Sequence, residues 1–173
     1  MLILRYLAKL LKALASEASP SQIAGGFILG MIIGLTPLSS FHNLIVLILI
    51  LVLRVNMGMA ILSFMVFSGI AYLADNQFHQ FGIWLLELES MQNTWSAMYE
   101  VEWIAMSRFY NTVVLGSLVT SLILLTPMFF LIKLGVVQYR EKIHERVKKW
   151  KIVRVVKGSK FYSIYQTVNR LRG

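Results

Sequence analysis

Cysteine is absent from the 173 residues, which excludes disulfides and thiolate metal sites and leaves the redox compartment unreadable. Charge is scarce as well, at 14% of residues, against roughly 25% in a typical soluble domain. Acidic residues are the rarer sign, 8 against 17 Lys and Arg, for a net charge of +9. Such an excess suits an anionic membrane surface or a nucleic acid, and its position along the chain decides between them. What fills the space is apolar: 57% of residues, above the roughly 45–50% of soluble domains. That surplus has to face something other than water, and the length allows one domain.

The first residues do not read as a secretory signal. Ala13-Leu14-Ala15 resembles a cleavage site, but Arg5, Lys9 and Lys12 interrupt the stretch that would have to be apolar. Those bases with Ser16 form one stripe at helical spacing, and Ile3, Leu7, Leu10 and Leu14 form the opposite stripe. Residues 1–18 are therefore expected to be an amphipathic helix lying in the interface of an anionic leaflet.

Residues 19–138 are expected to form an all-α, polytopic membrane domain. Ser19-Pro20 has the chemistry of a helix start. Helices are expected over about 20–36, 40–53, 57–74 and 112–137, separated by Thr36-Pro37, by Arg54-Val55-Asn56 and by a segment opening at Asp75-Asn76. The last two approach or exceed the ~20 residues that a ~30 Å hydrocarbon core requires. The first two are shorter, so residues 20–53 are either two short spans or a re-entrant hairpin, giving three to four transmembrane or re-entrant helices. The bases cluster before Ser19 and after Val137, whereas residues 75–111 hold Asp75, Glu87, Glu89, Glu100 and Glu102 but only one base, Arg108. By the positive-inside rule both termini are cytoplasmic and 75–111 is periplasmic. Both arrangements of 20–53 satisfy that orientation.

Gly26, Gly30 and Gly34 recur every four residues, and Thr112, Gly116 and Thr120 repeat the spacing in the last helix. Stacked small residues let backbones approach closely, so these faces are expected to pack on each other or across a homo-oligomer. A groove admitting a lipid tail is the functional alternative. Thr36, Ser39, Ser40, His42 and Asn43 surround Pro37, and Arg54 and Asn56 follow one helix later. Polar groups in apolar segments are costly, which makes these residues a candidate head-group site for an anion such as a phosphate. The structural alternative is an interfacial turn with a serine cap and a snorkelling Arg54.

No enzyme is expected. Nothing places a base, an orienting carboxylate and an oxyanion hole around Ser40 and His42. Asp75 and His79 stand four apart, but two ligands without a third are too few for a metal, and no cofactor is implied. The outer segment carries Phe78, Phe81, Trp84, Trp95, Tyr99, Trp103, Phe109 and Tyr110, an interfacial aromatic belt or a docking surface for a periplasmic partner. In residues 139–173, Ile143, Val147, Trp150 and Val153 recur at helical spacing among bases. A basic amphipathic helix after a span binds anionic lipid, and no nucleic-acid-binding module accompanies it.

Ser19-Pro20, the Gly26/Gly30/Gly34 run into Leu35-Thr36-Pro37, His42 and Leu53-Arg54-Val55-Asn56 together resemble a bacterial inner-membrane family known as domain of unknown function 2062. The likeness continues through Ser68-Gly69-Ile70-Ala71-Tyr72 and Phe78-His79-x-x-Gly82. It implies a Gram-negative inner membrane and no established activity or catalytic residues. Two functions are therefore expected to compete. One is handling or transport of a lipid or lipid-linked phosphate; the other is a membrane scaffold anchoring a partner complex, one that spans the periplasm included. The first requires a hydrated cavity leading to His42, the second a packed bundle with an exposed apolar patch over residues 84–103.

Overall fold

The computed structural model describes residues 18–143; the amphipathic segment 1–18, Ala18 apart, and the basic tail from 144 onward lie outside the described residues. Among the described residues every regular element is helical: α1 Pro20–Leu35, α2 Phe41–Val52, α3 Met57–Glu87, α4 Gln92–Glu100, α5 Glu102–Met106 and α6 Thr112–Gln138. One compact unit ends at Val136. Beyond it, Tyr139–Ile143 forms a short π-helical turn.

Local chemistry sets the boundaries. Ser19 caps α1 in a reciprocal capping box, its hydroxyl accepting from the Gln22 N–H while the Gln22 side chain accepts from the Ser19 N–H, and Pro20 fills the first helical position. Asn56 caps α3 by accepting from the Met59 N–H at 2.8 Å. Asn111 caps α6, accepting from Val113 and Val114. Arg54, directly after α2, takes the left-handed conformation with φ 49°, where glycine usually closes a helix.

The third helix does not end at residue 74 as expected but runs to Glu87. Hydropathy falls at Asp75-Asn76, but nothing there breaks helical hydrogen bonding. Phe78 and Gly82, one turn apart, stay buried against α6. The segment 75–111 thus begins as an extension of α3 and only then folds into α4 and α5. Trp95 donates its indole N–H to the Leu85 carbonyl at 3.1 Å and stacks on Phe109, tying α4 back to the end of α3.

The glycines place α1. A Cβ on Gly26 would collide with the Asn56 carbonyl and one on Gly30 with that of Ala60, while one on Gly34 would stand 2.7 Å from that of Phe64. Both numberings rise together, so α1 and α3 run parallel, backbone against backbone. Two hydrogen bonds cross the seam: Asn56 N–H to Gln22 O at 3.0 Å, and the Ser63 hydroxyl to Phe27 O at 2.7 Å. Along α6 the order reverses, because Gly82 lies against Thr112 and Gly116 against Phe78. That pair is antiparallel. The glycines of both small-residue faces therefore lie nearest α3 rather than each other. α1 is sheathed almost completely, with Ile23, Ala24 and every residue from Ile28 to Leu35 buried.

Among the described residues many large apolar side chains are exposed. Two helices, Met57–Glu87 and the one beginning at Thr112, are long and apolar enough to cross a membrane, and only 17% and 28% of their apolar windows are buried. A core helix of a soluble protein would be largely covered; these are not. α2 buries Asn43, Val46 and Ile50 and exposes nearly everything else.

Candidate functional site

The chain returns between α1 and α2 through a turn that satisfies its own polar groups. The Thr36 N–H donates to Ile32 O. The Thr36 hydroxyl has two acceptors for its one proton, Ile32 O at 2.8 Å and Asn43 Oδ1 at 3.0 Å. Asn43 Nδ2 donates to Pro37 O at 2.9 Å, and the Ser40 N–H closes the turn on the same carbonyl. Thr36, Ser40 and Asn43 are buried, whereas Ser39 is exposed. Ser40 sits at the N-cap of α2 but makes no side-chain cap bond. Both ring nitrogens of His42 are shielded from solvent and lack a hydrogen-bond partner among the described residues.

Arg54 and Asn56 do not join this group. They stand at the far end of α2, about 18 Å away at 1.5 Å per residue over its 12 residues. Asn56 is committed to capping α3 and to holding Gln22. The anion site expected of Thr36, Ser39, Ser40, His42, Asn43, Arg54 and Asn56 therefore lacks its base. In the last helix, the Thr120 hydroxyl donates back to Gly116 O, and Ser117 and Ser121 likewise bond their own helix.

What the turn does border is a cleft of about 440 Å³. Gly34 to Leu38 form one side; Ser68, Ala71, Tyr72, Asp75 and Phe78 of α3, with Val113 of α6, form the other. His42 is not part of its lining. Ser68, Tyr72 and Asp75 fall on one face of α3, spaced by four and three residues. That spacing is visible in the chain, but the residues look unremarkable until the turn is placed opposite them. The cleft volume lies in the 300–1,000 Å³ range of small-molecule sites. No group of three or more His, Asp or Glu that could hold a metal occurs among the described residues.

A family profile described as an uncharacterized protein conserved in bacteria (DUF2062) matches residues 4–145. The chain belongs to the DUF2062 family. One relative of this DUF2062 protein, an uncharacterized protein of Treponema pallidum (strain Nichols), is 26% identical over 145 residues, covering 84% of this chain and 90% of its own length. No solved structure matches.

Proposed function

We propose that this DUF2062 protein is a non-enzymatic component of the bacterial inner membrane that holds the head group of an amphiphile in the cleft between the α1–α2 turn and α3. The cleft carries the proposal, because it opens where the exposed apolar surface ends. On α3 that surface runs from Met57 to Leu73 and gives way to exposed Asp75, Asn76 and Gln77. On α2 it runs from Leu53 back to Leu38, at the mouth of the cleft. On α6 it runs from Leu134 to Leu122, just short of buried Ser121.

Met57 to Ala74 spans about 27 Å at 1.5 Å per residue, close to a ~30 Å hydrocarbon core. The same interval accommodates α1 and α2 as short spans, with the Thr36–Ser40 turn at the outer interface. In this reading the chain crosses four times, the termini and Arg54 lie in the cytoplasm, and α3 projects into the periplasm beyond Asp75. An amphiphile's chains would lie along α2 and its head group in the cleft.

The scaffold reading has observations of its own. The bundle is closed around α1, the cleft does not reach His42, and Tyr99, Trp103 and Met106 are 62%, 72% and 65% exposed. One experiment divides the two. The purified protein is released from nanodiscs of bacterial polar lipid, and bound lipid is counted by native mass spectrometry for the wild type, Ser68→Trp and Leu38→Trp. A retained lipid that both substitutions remove, at unchanged thermal stability, supports the cleft. No retained lipid, or equal retention in all three, removes it and leaves the scaffold.

A further inference from the structure

The cleft has a chemical bias of its own. Asp75 is the one ionisable carboxylate or base among its lining residues, and no base is paired with it among the described residues. The hydroxyl of Ser68, two turns back on the same face of α3, makes no hydrogen bond among the described residues. Thr36 has committed its proton to Ile32 O and Asn43 and offers only lone pairs. Two aromatic rings, Tyr72 and Phe78, share the lining.

Taken together the lining carries one negative charge, two π faces and hydroxyls that can accept as well as donate. A bare phosphate would meet a like charge there, with no Lys or Arg to offset it. A primary ammonium carries three donors and a positive charge, which is the complement. A quaternary ammonium retains the charge and the attraction to the rings but has no N–H to give the oxygens.

Building on the reading of the cleft as an amphiphile site, we infer that it selects an amphiphile with a primary-amine head group, with the Asp75 carboxylate accepting from the ammonium and Tyr72, one turn away, contributing a ring face. The acyl chains belong to the ligand, because Leu38, 67% exposed, lines the cleft and opens the apolar surface of α2. The phosphate of such a lipid is directed away from Asp75, toward water.

The test is competitive retention from nanodiscs containing equal parts dioleoyl-phosphatidylethanolamine, dioleoyl-phosphatidylcholine and dioleoyl-phosphatidylglycerol, read by native mass spectrometry. The wild type is expected to retain the ethanolamine lipid first and the glycerol lipid last. Asp75→Asn keeps the size and one acceptor oxygen while removing the charge. It should lower the preference for the ethanolamine over the glycerol lipid about three- to fivefold, as expected for a partly exposed charge pair, while total retention persists. Tyr72→Leu should reduce both amine lipids against the glycerol lipid. Retention without an ethanolamine preference, or a preference unchanged in Asp75→Asn, overturns the amine inference and leaves the cleft as a lipid site. Absence of any retained lipid in the wild type overturns the cleft itself. Displacement of the lipid by millimolar phosphoethanolamine overturns the requirement for acyl chains and makes a soluble amine the ligand.

Discussion

Gly30→Ala and Gly69→Ala are the same chemical change on two helices that lie side by side, and they should move stability in opposite directions. At Gly30 the new methyl would overlap the Ala60 carbonyl oxygen and stand 2.8 Å and 2.9 Å from the Ala60 C and Cα atoms. Those are backbone atoms of a neighbouring helix, so no side chain can swing aside. α1 and α3 have to separate, and the approaches at Gly26 and Gly34 loosen with them. Overpacking by a methylene costs about 1–3 kcal/mol, and exchanging glycine for alanine within a helix returns about 1 kcal/mol. With three backbone atoms in the way, the upper part of that range applies, and the net loss is about 2 kcal/mol. At Gly69 a Cβ would meet nothing within 4 Å, so only the propensity gain remains, about 1 kcal/mol. Unfolding by SDS titration from a mild detergent, followed by circular dichroism, measures both. Equal midpoints for the two variants, or a Gly30→Ala protein as stable as the wild type, would refute the backbone seam.

Two further outcomes concern single residues. Asn43→Ala removes one acceptor of the Thr36 hydroxyl and the donor to Pro37 O, and should cost about 1–2 kcal/mol in the same titration, in line with hydrogen bonds inside membrane bundles. A variant as stable as the wild type would mean that the turn holds without this side chain. Arg108 sits before α6 at φ 56°, a left-handed conformation that costs an ordinary residue about 1–2 kcal/mol. Arg108→Gly should therefore raise the SDS midpoint, and a lower one would contradict the strain.

The helices are legible because their chemistry is local. Ser19-Pro20, the apolar runs and the polar breaks mark α1, α2 and the starts of α3 and α6 to within a residue or so. The glycine spacing likewise announces a close approach. Its partner is not legible, because what lies opposite is the ordinary carbonyls of Asn56, Ala60 and Phe64, and backbone leaves no signature in a sequence. The end of α3 escapes a hydropathy reading because hydropathy reports the solvent around a helix rather than the helix itself. Phe78 and Gly82, four apart, are the available sign of its continuation. At the site, Thr36 and Asn43 stand out in the chain and do come together. Arg54 is near them in sequence only, since α2 between them is a rigid spacer. Ser68, Tyr72 and Asp75 give no signal of a shared site, because their face acquires meaning only when the α1–α2 turn lies across from it.

The enclosure of α1 bears on how the protein is made. Ile23 is fully covered by a cluster that includes Val136, which leaves the ribosome about 113 residues later, or about 6–23 s at ordinary rates of synthesis. The first helix of the bundle to be translated is thus among the last to have its cover completed. α2 and α3 are made in time to close on it, but until α6 arrives the Ile23 end lacks part of its cover, and a ribosome stalled before residue 112 would leave behind a bundle without its last helix.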